Sequence, residues 1–145
     1  MTSWWVRLAT PKDRTAIRDL TRRTRRELQG SVRTPARDAG RDGAELAWVV
    51  EAGRREIVGC CTVREASNGE WELIELALAA RWRGYGLGRG LVDHAARSVR
   101  SEGGLALVSR GGCFEGREEL ALALGFEPVP GGDGPVFRRT VAQVS

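Results

Sequence analysis

The sequence predicts a single mixed α/β domain over residues 1–145, a mostly antiparallel sheet flanked by helices in the order β-α-βββ-α-β-α-ββ. Three observations carry this. The length of 145 residues suits one compact core and is short for two. Hydrophobic spacing switches between a period of two and a helical period along the chain. Glycine clusters punctuate the switches.

Residues 4–9 (WWVRLA) read as the first strand. Thr10 and Pro11 then make a helix start, with Thr10 as N-cap and Pro11 in the first helical position. A helix over residues 11–29 carries Ile17, Leu20, Thr24 and Leu28 on one stripe, and Gly30 stops it. Arg22, Arg23, Arg25 and Arg26 lie off that stripe and read as a solvated face. The polar segment 31–43 is a loop or a short helix and a candidate substrate-side element.

Strands over 45–51, 57–64 and 71–79 follow, joined by an Ala-Gly-Arg-Arg turn and by Ser67-Asn68-Gly69, which predicts an antiparallel meander. Residues 87–100 return to helical spacing through Leu87, Leu91, Ala95 and Val99, ending near Gly103-Gly104. A buried strand over 105–109, a helix over 115–124 stopped by Gly125, and strands around 126–129 and 136–141 complete the order. Trp4, Trp5, Trp48 and Trp71 sit on strands and read as core, and His94 as a structural residue of the second long helix.

Charge narrows the partners without choosing one. The 23 basic residues include a single lysine, Lys12, and outnumber 19 acidic ones for a net charge of +4. Such a balance favours polyanions: nucleic acid, a membrane surface or a phosphate-bearing ligand. No stretch approaches the roughly 18 apolar residues of a membrane span. The start lacks the pattern of a signal peptide. Cys60, Cys61 and Cys113 lack metal-ligand spacing, and one histidine cannot complete a zinc set, so no metal is expected. The thiols read as small buried side chains of a cytoplasmic protein. Nucleic-acid binding, resting on the arginine run alone, lacks a recognition helix or interleaved aromatics.

The chemistry concentrates in Arg83-Gly84-Tyr85-Gly86-Leu87-Gly88-Arg89-Gly90, between an apolar strand and an amphipathic helix. Glycines let backbone N–H groups close around an anion, and the helix N-terminus and two arginines add positive charge. This is a phosphate cradle. A P-loop needs a lysine that this segment lacks, and the third glycine of a Rossmann loop is replaced by Arg89.

Arg83-x-x-Gly86-x-Gly88 resembles the Arg/Gln-x-x-Gly-x-Gly/Ala signature of the GNAT superfamily of acyl-CoA-dependent N-acetyltransferases. The resemblance extends back through residues 76–82 to that family's fourth strand, and forward to Leu124-Gly125-Phe126 after its last helix. It implies a GNAT-like fold and transfer of an acetyl group from acetyl-CoA, as co-substrate, to a primary amine by direct attack in a ternary complex. It also implies that the backbone of Arg83, Gly84, Tyr85, Gly86, Leu87, Gly88 and Arg89 grips the CoA pyrophosphate, and that Leu76 and Leu78 pair with the pantetheine arm. The thioester then lies where the fourth strand splays from the next. The acceptor is a small-molecule or peptide amine, and small members of the family are often homodimers.

Many family members carry a carboxylate base on that fourth strand, which here offers Glu72 and Glu75. Strict alternation puts them on opposite faces, with Glu72 beside Leu76 and ranked first. The family's usual proton-donating Tyr is replaced by Ala121 and an earlier Asn by Phe114, which leaves water, Ser109 or Cys113 near enough to serve. The same substitution motivates the alternative of a non-catalytic acyl-CoA-binding or regulatory module.

Overall fold

The computed structural model describes residues 3–27, 44–84, 86–110, 114, 117–130 and 136–141. Its strands are β1 (Trp4–Leu8), β2 (Glu45–Ala52), β3 (Glu56–Glu65), β4 (Glu70–Leu78), β5 (Ala106–Ser109), β6 (Glu127–Val129) and β7 (Val136–Thr140). The helices are α1 (Arg14–Glu27), α2 (Leu87–Ser101) and α3 (Glu118–Ala123). All seven strands form one sheet in the order β1-β2-β3-β4-β5-β7-β6. Every neighbouring pair is antiparallel except β4 with β5. The element order and the mixed, mostly antiparallel sheet are those the sequence predicts.

The turns explain the meander. Asn68 and Gly69 both have positive φ, 60° and 76°, the backbone of a tight hairpin link between β3 and β4. Gly53 and Arg55 do the same between β2 and β3.

Helices cover both faces of the sheet. On one side Leu20 of α1 packs on Val49, Cys60 and Ala77. On the other, Leu91, Val92, Ala95 and Val99 of α2 join Trp48, Trp71, Leu73 and Leu107 in the larger core, which also takes Phe114, Ala121 and Phe126. Of the predicted stripe on α1, Leu20 and Thr24 are buried. Leu28, Gly30 and the 31–43 segment lie outside the described residues.

The four strand tryptophans divide by position. Trp48 and Trp71 are 1% and 2% exposed, as expected of core residues. Trp4 and Trp5 are 37% and 42% exposed, which corrects their reading as core: β1 is an edge strand, and an edge leaves its side chains half uncovered. His94 meets the Trp48 ring edge-on at 6.2 Å between centroids. Burial and the neighbouring Arg97 push its pKa down, in keeping with a structural role.

The predicted first helix opens as a single 3-10 turn over Pro11–Asp13 before the α-helix starts at Arg14. The turn is held by an ion-pair network that sequence periodicity does not reveal. Arg7 donates to both oxygens of Asp13, at 2.8 and 2.9 Å, and its Nε donates to Glu51 at 3.2 Å. Asp13 also accepts from the Thr10 N–H at 2.7 Å, and Glu51 accepts from the Trp5 indole at 2.9 Å. One guanidinium thus joins β1, β2 and the entry to α1.

Arg7 and the Thr10 N–H hold the Asp13 carboxyl down at about 2, against an ordinary value of 3.8. At about 1.4 kcal/mol for each tenfold change, this corresponds to about 2 kcal/mol of stability. For a carboxyl lowered on folding, that contribution is present above the unfolded value and is lost as pH falls through the folded one. Asp13→Asn is therefore expected to lower stability by about 2 kcal/mol at pH 7 in urea unfolding. It also removes the part of the parent's decline that falls between about pH 4 and pH 2.

Candidate active site

The site begins where two parallel strands part. β4 and β5 pair at only three positions, Glu70 with Ala106, Trp71 with Leu107 and Glu72 with Val108. β4 runs on to Leu78 while β5 stops at Ser109, so Leu73 to Leu78 have no β5 residue opposite them. Behind the fork, Arg110 reaches back to Glu70 at 3.0 Å. The result is a V-shaped opening with one side made of unladdered β4 backbone.

The glycine-rich turn closes the wide end of that opening. Gly84 and Gly86 take φ of 89° and 82°, conformations that side chains with a Cβ adopt reluctantly. Nothing lies within 4 Å of where their Cβ atoms would be. Gly88 serves space instead: its Cβ would meet Leu78 Cδ1 at 3.3 Å. At Gly90 the Cβ would meet the Trp4 ring at 3.2 Å.

Gly86 caps α2 without a side chain. The first-turn N–H groups therefore have no capping side chain and no intrahelical acceptor, and they carry the positive end of a 15-residue helix. Arg83 is exposed and donates to the Leu78 carbonyl at 3.1 Å, at the lip of the V. Arg89 donates to the Ala123 carbonyl at 3.3 Å, tying α2 to the end of α3, and Asp93 lies 3.8 Å from its Nε. Tyr85 lies outside the described residues. The donor set as built suits a pyrophosphate: small, backbone-lined, electropositive and open.

The family model described as Acetyltransferase (GNAT) family matches residues 14–121. The chain belongs to the GNAT acetyltransferase family. No curated protein matches its sequence. Its fold is shared with solved GNAT structures at low identity. A GNAT-family acetyltransferase from Staphylococcus aureus superposes with a TM-score of 0.78 at 12% identity, over 96% of this chain and 99% of that one. A GNAT N-acetyltransferase from Escherichia coli, in complex with CoA, gives 0.70 at 20% identity, over 98% of this chain and 83% of that one. N-acetylglutamate synthase from Neisseria gonorrhoeae, complexed with coenzyme A and N-acetyl-glutamate, gives 0.74 at 16% identity, over 97% of this chain and 36% of that one.

Within this GNAT domain the candidate carboxylates do not stand as alternation predicts. Thr62 pairs with Glu75 but Val63 pairs with Leu73, so Ile74 is an extra residue in the β4 ladder, a bulge. Upstream of it Trp71 and Leu73 face α2, and downstream Leu76 and Leu78 face the same way. Glu72 therefore points to the α1 face, and so does Glu75, which alternates with Ala77 in the cluster under α1. This corrects the expectation of opposite faces and of Glu72 beside Leu76. The bulge shifts the period by one, and both carboxylates end up on one side.

Their settings differ. Glu72 is half-buried at the last β4–β5 pair, directly opposite Arg64 in the ladder, and Arg64 is itself bonded to Glu45 at 3.0 Å. Glu75 is buried, with Thr62 donating across a long 3.5 Å. On the same face, at the far end of β4, a cavity of about 330 Å³ is lined by Leu20, Arg23, Thr24, Ile57 and Arg81 among others.

Ala121, where a proton-donating Tyr is usual, is fully buried in the core beside Phe126, and Phe114 is likewise core. Trp82 is half-buried and packs on the core side of the sheet. Cys113 lies outside the described residues. Among the described residues no group of His, Cys, Asp and Glu gathers that could hold a metal, and no helix is long and apolar enough to cross a membrane. Two features escaped the sequence reading. The bulge left a trace in the adjacent apolar pair Leu73-Ile74, and the Arg7 network left none.

The backbone geometry fixes what a small substitution does here. Gly86→Ala is expected to lower stability by about 1 kcal/mol in urea unfolding, because it strains a left-handed backbone without touching a neighbour.

Proposed function

We propose that this GNAT protein is an N-acetyltransferase that moves an acetyl group from acetyl-CoA to a primary amine by direct attack in a ternary complex. The observation that carries it is the fork between β4 and β5, opening onto a glycine turn and the uncapped N-terminus of α2. In this reading the N–H groups of Arg83 to Arg89 hold the pyrophosphate, with Tyr85 among them. The β4 backbone at Leu76 and Leu78 offers a strand edge to the pantetheine. CoA-bound neighbours from Escherichia coli and Neisseria gonorrhoeae support the choice of acyl donor.

Bound there, acetyl-CoA supplies the activated acyl carbon, and the chain supplies position and proton transfer. Glu72 or Glu75 takes the proton from the attacking amine. Their common face makes the α1 side the acceptor side, and Glu72 stands nearer the fork. The acceptor is a small-molecule or peptide amine, and nucleic acid is disfavoured as a partner. Self-association as a homodimer and a cytoplasmic location belong to the same reading.

Calorimetry with acetyl-CoA tests the donor site. Gly86→Asp and Gly88→Asp are expected to weaken binding on the order of 100-fold, by strain or crowding together with charge repulsion. Affinity equal to the parent's would sink the assignment. For the base, Glu72→Gln is expected to lower kcat by roughly 100-fold with acetyl-CoA affinity unchanged. Full kcat in both Glu72→Gln and Glu75→Gln would remove a β4 carboxylate from the reaction.

The core position of Ala121 favours a second reading, a non-catalytic acyl-CoA-binding or regulatory module. Tight acetyl-CoA binding with no release of CoA across a broad amine panel would select it.

A further inference from the structure

The last rung shared by β4 and β5 continues into β7. Glu72 stands opposite Val108, and Val108 stands opposite Arg138. Residues paired across a sheet share a face, so Arg138 lies on the α1 side, two strands from Glu72. Its neighbours agree by alternation: Phe137 joins the core under α2, and Arg139 bonds Asp93 of α2 at 2.8 Å. Adjacent strands lie about 4.8 Å apart, which sets the Cα atoms of Glu72 and Arg138 about 10 Å apart, at the rung where the fork begins.

Three arginines lie on or beside this rung, and two of them are already engaged. Arg64, opposite Glu72 on β3, donates to Glu45 at 3.0 Å, and Arg110, one residue past β5, donates to Glu70 at 3.0 Å. Arg138 is exposed and makes no ion pair or hydrogen bond among the described residues, although Glu127 stands opposite it on β6. Val108 is apolar and offers neither Glu72 nor Arg138 a partner. The rung thus holds one carboxylate and one open cation in fixed register.

We propose that Arg138 selects acceptors that carry a carboxylate beside the reacting amine, of which a free amino acid is the simplest. This rests on the reading of the fork as an acetyltransferase site with Glu72 as base. The acceptor's amine hydrogen-bonds Glu72, and its carboxylate meets the Arg138 guanidinium. Two hydrogen bonds of about 2.8 Å and the short span from amine to carboxylate in an amino acid fill the interval between the two side chains. Arginine suits the role, because its planar fork matches a carboxylate with two parallel N–H donors. The same pair of charges rejects other amines. A simple amine leaves the guanidinium unmatched, and a diamine brings a second cation beside it.

The test compares acceptors that differ only in the carboxylate. CoA release from acetyl-CoA is measured with a panel of free amino acids and with the same amino acids as primary amides, for the parent, Arg138→Gln and Arg138→Lys. The acid-to-amide ratio of kcat/KM is expected to fall by roughly tenfold in Arg138→Gln, with the loss in KM for the acids, and to recover in part in Arg138→Lys. A merely structural role would lower acids and amides together and leave the ratio where it was. An equal ratio in parent and Arg138→Gln, or release with amides and simple amines but with no free acid, overturns the inference while the transferase reading stands. If the parent binds acetyl-CoA and no amine of any kind releases CoA, the transferase reading fails and this inference falls with it.

Discussion

The organising constraint is the short parallel contact between β4 and β5. Three pairs join the strands and then they diverge, which leaves the middle of a sheet with an unladdered edge. Backbone N–H and C=O groups in such a place need partners, because buried peptide groups without them are destabilising. A closed sheet would have satisfied them internally and left no room. Here the strand order forces the opening. β5 is held on its other side by β7, α2 spans the connection from β4 to β5, and the turn that starts α2 stands at the mouth of the V.

Around this opening the remaining parts divide their labour. The α2 face is apolar and continuous, with α2, α3 and the aromatic cluster of Phe114, Phe126 and Phe137 packed on it. The α1 face has a smaller cluster and carries the polar side chains Thr62, Glu72 and Glu75. Glycine is used for two different reasons in one turn: backbone freedom at Gly84 and Gly86, clearance at Gly88 and Gly90. The arginines flanking the turn are engaged with carbonyls at Leu78 and Ala123, so the positive charge is held in place by the fold.

The fold was legible because its signals are local. Asn68-Gly69 dictates a hairpin, the Leu87, Leu91, Ala95 and Val99 spacing dictates a helix, and Gly125 marks a helix end with φ of 88°. The glycine turn ahead of α2 was legible for the same reason. What stayed hidden depends on pairings between distant segments. Arg7 finds Asp13 and Glu51 only after β1 has docked on β2, and no spacing along the chain encodes that. Trp4 and Trp5 look like core residues until the sheet order makes their strand an edge. The faces of Glu72 and Glu75 were misjudged because the adjacent apolar pair Leu73-Ile74 becomes an extra residue only once β4 has paired with β3.

That extra residue has a consequence for how strand β4 can be compared with others. Its two halves are out of phase, so odd and even positions exchange meaning at Ile74. An alignment that slides another strand along this one without a gap will match one half correctly and invert the other. Glu72 and Glu75 would then be scored against residues from opposite compartments. A one-residue gap at Ile74 restores the correspondence, and with it the shared face of the two carboxylates.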